Sequence, residues 1–421
     1  MSKKNRQRPQ RELTKRQLAR WQRERKRQRI IFILGVIVIA AVIVIVGAGA
    51  YVASYRPLHE TILTVNGTRF DMSYYISMLK YYSRNQDRSY AYTVANYVAS
   101  VIEQNELIKQ GATQLGFTVS DEEADKELTR LKLGKEYRDL VRKDLLVKKL
   151  LDGYFDGKVT LKGDQRQVQA MFLESQSQAL DVTSKLAAGK SFAELAGELS
   201  LDTNAKTKKG DLGWHTKDIF SQAYTSVLAD YAFDSEVGVL SPPVADESKS
   251  KGVGYWLIKV LEKQPDADDT HVLGILLGSE EQAKMVKARL DAGEDFAKLA
   301  GESSQLDNAS QKGGDLGWVR PGMLSPALDD YIFKSGVTPQ TVSNPIRDDK
   351  QTTRGGYWLI KVLARDENRK IDDEDRQALK NKALIEWLQT LKANPENKIE
   401  NLLNEEKISW AVNKATEKTT K

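Results

Sequence analysis

The chain has 421 residues, 40% of them hydrophobic and 29% charged, with no cysteine and only three histidines. That length exceeds one ordinary domain. The missing cysteine excludes disulfides, thiolate metal sites and a thiol nucleophile, while His59, His215 and His271 lie far apart in sequence, which argues against a histidine-based metal site or triad.

Charge is distributed unevenly. Residues 1–29 hold 13 Lys/Arg against 2 Asp/Glu, a net +11, and the remainder carries 51 basic and 56 acidic residues, a net −5. The sequence pI near 9.0 therefore reflects one short tail, and no nucleic-acid partner is expected. Ile30 to Tyr55 follow as 26 uncharged residues beginning IIFILGVIVIAAVIVIV. Roughly 20 apolar residues span a bilayer core as a helix, the conformation lipid demands of an unpaired backbone. Trp21, Tyr51 and Tyr55 stand where interfacial aromatics belong, and the basic tail places residues 1–29 in the cytoplasm with 56–421 outside. The tail also suits anionic lipid. A cleaved signal peptide is the alternative, with Ala48-Gly49-Ala50 as the small-residue site, although the apolar run exceeds the usual signal core.

Beyond the anchor, residues 62–70 (ILTVNGTRF) read as a hairpin turning at Asn66-Gly67. Asp71 can cap the helix that follows. Residues 92–117 are helical with Val94, Val98, Val101 and Ile102 on one side. Ser120-Asp121-Glu122-Glu123 is a capping box for a third helix, and Tyr137 to Tyr154 gives a fourth.

The exported part repeats itself. LAAGKSFAELAGELS (186–200) recurs as LDAGEDFAKLAGESS (290–304), and KGDLGW (209–214) as GGDLGW (313–318), both 104 residues apart; GYWLIKV (254–260) returns unchanged at 356–362, 102 residues on. Two copies of this size are two domains, not a solenoid. Each opens on a short apolar strand, Met171-Phe172-Leu173 or Ile275-Leu276-Leu277. A helix follows, with Ala179, Val182 and Leu186, or Ala283, Val286 and Leu290, on one face. Gly189 and Gly293 stand at helix C-termini. A second short helix carries Phe192/Leu195 or Phe296/Leu299, the Gly-Asp-Leu-Gly-Trp segment is a turn, and the last strand is β-branched and aromatic. Each copy thus predicts a β-α-α-turn-α-β domain closed by its own last strand.

The ordered set of apolar strand, G-x-x-F-x-x-L-A helix, G-D-L-G-W turn, Y-x-F helix and G-Y-x-L-I-K-V strand, present twice, resembles the parvulin prolyl-isomerase family. The resemblance covers 165–263 and 268–366. The stretch V-N-G, then E-L-I-K-Q-G-A-x-x-L-G-F-T-V-S-D-E-E, is similar to the N-terminal chaperone region of exported SurA- and PrsA-like foldases. The resemblance implies an α+β architecture: basic tail (1–29), transmembrane helix (30–55), helical chaperone-like domain (56–160), two tandem parvulin-like domains, and a C-terminal helical segment (367–421) that returns to the helical domain. It also implies a membrane-anchored extracytoplasmic folding factor, a peptidyl-prolyl isomerase and chaperone whose partners are unfolded or exported polypeptides and X–Pro peptides. No cofactor or metal is expected.

The copies depart from the family where its chemistry sits. The two usual histidines fall on Ala170 and Trp256 in copy one, and on Gly274 and Trp358 in copy two. His271 lies three residues before its expected place, an odd offset that turns it to the opposite strand face unless a bulge intervenes; His215 reads as a solvated loop residue. Of the family's acidic position only Asp202 remains, as a candidate catalytic residue or a turn-stabilising one; copy two has Leu306 there. Asp211 and Asp315 suit backbone bonding. The family's apolar proline pocket aligns with Met323, Leu328 and Phe333 in copy two and with Leu228 and Phe233 in copy one, positions that ordinary core residues would also fill. The alternatives are a non-catalytic holdase with degenerate isomerase domains, or a structural envelope protein with fixed partners.

Overall fold

The structure is a computed structural model; it describes residues 51–263, 269–334 and 337–417, together with 26, 32, 36–46, 48 and 49. The expected anchor, Ile30 to Tyr55, therefore lies partly outside the described residues. Its described residues are helical, with Val and Ile side chains at 36–46 exposed. Among the described residues no helix is long and apolar enough to cross a membrane. The described residues fall into two compact units, one drawn from 1–156 and 383–421, the other from 157–382.

The first unit begins with a hairpin of β1 (Thr61–Val65) and β2 (Thr68–Asp71). Asn66 and Gly67 turn it with φ of 50° and 82°, the left-handed pair such two-residue loops require. The strand Ile399–Asn401 pairs with the other side of β1, so the C-terminal segment completes this sheet. Helices Met72–Tyr82, Arg88–Gln114, Asp121–Leu131 and Arg138–Lys149 follow. Asp71 accepts from the Tyr74 N–H at 2.9 Å, and Ser120 and Glu123 form the expected reciprocal box. Ile62, Tyr75, Leu79, Val98 and Ile102 are buried with Ala411 and Val412 of the helix Glu405–Thr416. A methyl on Gly111 would stand 2.6 Å from the Trp387 ring, so this glycine admits the returning C-terminal helix.

The second unit holds both repeats. Copy one supplies β3 (Lys162–Leu173), β4 (Asp211–His215), β5 (Val244–Ala245), β6 (Ser250–Lys251) and β7 (Gly254–Lys263). Copy two supplies β8 (Thr270–Leu277), β9 (Asp315–Val319), β10 (Ile346–Asp348), β11 (Thr353–Arg354) and β12 (Tyr357–Lys370). The helices occupy the expected places, and Gly189 and Gly293 end theirs with φ of 89° and 92°. The Gly-Asp-Leu-Gly-Trp segments, expected as turns, form β4 and β9. Gly213 and Gly317, with φ of 84° and 76°, sit beside irregularities in the pairing with β3 and β8.

Strand pairing departs from the expectation that each copy closes its own sheet. The two four-stranded sheets have the orders β4-β3-β12-β5 and β10-β7-β8-β9. The identical strands β7 and β12 have exchanged places. Copy two's last strand pairs with copy one's first through Trp358↔Phe172 and Ile360↔Ala170. Copy one's last strand pairs with copy two's first through Trp256↔Leu276 and Ile258↔Gly274. The physical reason is proximity along the chain, since β7 and β8 are consecutive and form a hairpin, the low-entropy pairing. Module A is thus β3, β4, β5 and β12, and module B is inserted within it. At the crossover β6 pairs with β11.

Candidate functional site

Exchange makes each family site a composite of both repeats. In module A the two former histidine positions are Ala170 on β3 and Trp358 on β12; in module B they are Gly274 on β8 and Trp256 on β7. Trp358 is fully buried and packs on Phe172, ring centroids 4.9 Å apart, and edge-on to Tyr224 at 6.3 Å. Its Nε1–H donates to Asp246 Oδ2 at 2.9 Å. Trp256 repeats the arrangement, donating to Asp348 Oδ2 at 3.2 Å. The backbone N–H groups of Ile360 and Ile258 donate to Ser241 and Ser343, each at 2.9 Å. Both indoles therefore have the polar partner that burial requires. Burial pushes the Asp246 carboxyl up, but hydrogen bonds from Ser248, Thr225 and Trp358 outweigh it and hold it below the usual range.

Gly274 has a steric reason. A methyl there would stand 2.8 Å from Leu316 Cδ1, 3.1 Å from the Trp256 ring and 3.3 Å from Ile258 Cδ1. The tryptophan fills the space a side chain at this position would need.

Asp202 is buried, accepts from the Ala205 N–H at 2.8 Å as the cap of helix Thr203–Thr207, and pairs with Lys249 Nζ at 2.5 Å. The same ammonium lies 5.6 Å from the Trp358 ring centre. Leu228 and Leu328 are buried in the cores that contain Trp358 and Trp256, with Phe233 and Phe333 packed at their margins. These apolar groups, which the resemblance assigns to a proline pocket, thus belong to the same apolar clusters as the indoles. Leu228 and Leu328 are fully buried, as core residues at these positions would be. Leu306, in place of the acid, joins the same packing in module B. Met323 is different: it is 62% exposed, in the turn after Pro321-Gly322, its Sδ accepting from the Arg320 N–H at 3.3 Å.

His271 does not stand in for a lost histidine. The extra residues that break register lie on its neighbours β7 and β9, so β8 alternates without interruption and His271 faces away from Gly274. It bonds Asp315 at 2.9 Å and stacks on Trp318. His215, expected in solvent, is half-buried on β4 with Nδ1 2.6 Å from Asp375 Oδ2. Asp211 and Asp315 accept from the Gly213 and Gly317 N–H groups at 3.0 and 2.7 Å.

Sequence reading missed Asp246, Asp348, Ser241 and Ser343. A signal existed: each pair recurs at the 102-residue offset of the identical strands. It also missed Lys251 at the crossover, buried, donating to the carbonyls of Arg354 and Gly355. Burial pulls this ammonium down to about 8, with Glu174 and Glu247 opposing. Among the described residues no cluster of His, Cys, Asp and Glu could hold a metal ion. Ala170, Trp256, Gly274 and Trp358 supply no general base at the former histidine positions.

Residues 163–262 and 255–366 each match a PPIC-type PPIASE domain. The chain is 30% identical over 222 residues to the Chaperone SurA of Polaromonas sp., covering 49% of this chain and 43% of that protein. It is 39% identical over 99 residues to the Foldase protein PrsA of Geobacillus kaustophilus, covering 24% and 33%. The chain thus spans less than half the length of these curated relatives. Among solved structures, the peptidylprolyl isomerase PrsA of Bacillus anthracis covers 76% of this chain and 98% of its own at 16% identity, with a TM-score of 0.29. On the domain matches, residues 163–366 carry two PPIC-type, that is parvulin-type, peptidyl-prolyl isomerase domains.

Proposed function

We propose that the chain is a parvulin-type folding factor that engages unfolded, exported polypeptides. The observation that carries this is the pair of domain matches, with sequence likeness to a protein named Chaperone SurA and another named Foldase protein PrsA. Anchoring belongs to the same proposal. The 26 uncharged residues from Ile30 to Tyr55 follow a tail of net +11, and such a pattern orients a span with the tail in the cytoplasm. Residues 56–421 then work outside the membrane.

Isomerisation requires no histidine in principle. An X–Pro bond rotates over a barrier of roughly 18–20 kcal/mol set by amide resonance. A surface that prefers the twisted amide by about 4 kcal/mol accelerates rotation roughly a thousandfold. Met323 is the exposed member of the positions aligned with the family's pocket and is available for such contact. The buried tryptophans at the former histidine positions support a second reading, in which the modules bind clients without catalysis.

A protease-free assay of proline-limited refolding with the full chain decides between them, run beside Met323→Ala and Phe333→Ala. Acceleration that falls in these variants supports an isomerase centred on module B. Suppressed client aggregation without acceleration supports the holdase. If the chain neither accelerates refolding nor suppresses aggregation, the folding-factor reading fails.

A further inference from the structure

Module A carries a groove of about 620 Å³ between the helix Ser226–Asp234 and the chain run that leads into β5. Val227, Asp230, Tyr231 and Asp234 follow the i, i+3, i+4, i+7 spacing that puts four side chains on one helix face. Glu236, Val239 and Val244 line the opposite side. β5 is the edge strand of its sheet. Val239 is 55% exposed. Lys217 pairs with Asp230 at 2.8 Å; among the described residues Asp234 and Glu236 form no ion pair.

Module B shows that the fold does not require this chemistry. The two modules keep the same core at Leu228 and Leu328, and the same serine contacts at Ser241 and Ser343. Leu240 bridges Lys361 as Val342 bridges Lys259, which fixes the alignment of the edge run. At the groove positions copy two has Ala327 for Val227, Lys334 for Asp234, Gly336 for Glu236 and Thr341 for Val239. Asp234, Glu236, Val227 and Val239 are thus particular to copy one, while Asp230, Tyr231 and Val244 are matched by Asp330, Tyr331 and Ile346.

We propose that this groove binds an extended segment of client polypeptide in which Lys or Arg alternates with aliphatic residues. Aliphatic side chains lie on Val227, Val239 and Val244, cations face Asp234 and Glu236, and the segment runs along the open edge of β5, the geometry of strand addition. Opposite charge steers the encounter and selects against acidic segments. This rests on the folding-factor reading and names the client chemistry one module prefers.

The test is fluorescence anisotropy with the full chain and two labelled, proline-free octapeptides, one alternating Lys with Leu and Val, the other with Glu in place of Lys. Asp234→Lys with Glu236→Gly installs residues that copy two already tolerates. The expected result is binding of the cationic peptide that weakens about tenfold in the double variant and with added salt, with an unchanged urea midpoint and no binding of the acidic peptide. Equal affinity of the double variant for the cationic peptide, or equal binding of both peptides, overturns the groove assignment. A chain that still suppresses aggregation of unfolded clients under either result keeps its folding-factor reading; one that does not loses that as well.

Discussion

Introducing cysteines into this cysteine-free chain tests the strand exchange directly. Gln169 faces Lys361 across the β3–β12 pair, and Lys259 occupies the equivalent place on β7. Facing antiparallel residues have Cα atoms about 4.5–5.5 Å apart, within disulfide reach. Gln169→Cys with Lys361→Cys should therefore oxidise to an intramolecular bond, and Gln169→Cys with Lys259→Cys should not. The expected preference follows from loop closure. The exchanged pairing joins β7 to β8 through the six residues between Lys263 and Thr270, and β3 to β12 over about 180. The unexchanged pairing closes two connections of about 80 residues each. Since closure entropy grows as (3/2)RT ln n, exchange is favoured by about 1.5 kcal/mol, roughly tenfold in population. Over residues 254–260 and 356–362 the side-chain contacts cancel, because the two segments are identical; the pairing of Ala364 to Lys370 with β3 adds to the same preference. Non-reducing electrophoresis of cleaved chain reports the two bonds. Equal yields from the two double variants would refute the reasoning.

Two further predictions concern the crossover and the composite site. Lys251 loses its proton near pH 8 when folded, against 10.5 for an ordinary lysine. Below pH 8 both states carry the proton and the full cost of burying it, of the order of 3 kcal/mol, weighs on the fold. Between about 8 and 10.5 the unfolded chain binds the extra proton, so this group's contribution to stability rises with pH. Relative to Lys251→Met, wild type should gain stability above pH 8 with a slope approaching 1.4 kcal/mol per pH unit; parallel urea profiles from pH 7 to 9.5 would contradict this. Gly274→Ala should cost about 1–3 kcal/mol by overpacking against Leu316 and Trp256, seen as a lower urea midpoint by tryptophan fluorescence. An unchanged midpoint would mean that Trp256 has room the structure does not show.

Much of the unit of two modules was legible in the chain. The repeat gave both modules, and in the first unit Asn66-Gly67 gave the hairpin and Ser120 with Glu123 the cap, because each is decided by neighbours a few residues away. Partner choice between β7 and β12 was illegible for the opposite reason: over residues 254–260 and 356–362 the two strands are identical and carry no information about which sheet receives them. The site was half legible. The loss of the histidines could be read from Ala170, Trp256, Gly274 and Trp358, whereas the closure of the pocket on the indoles depends on Asp246 and Asp348, more than a hundred and about ninety residues from the tryptophans they hold. His215 was misread because its partner, Asp375, arrives 160 residues later.

The identical closing strand also bears on how the gene can change. A recombination that joins any point in 254–260 to the equivalent point in 356–362 removes 102 residues and yields the same product wherever the crossover falls. That product retains β3, β4, β5 and a continuous closing strand running on into residues 363–370, which is the whole of module A. Because module B is nested inside module A, losing the duplicate leaves an intact outer domain. The interlocked pair can therefore be reduced to one complete domain at a single short, repeated sequence.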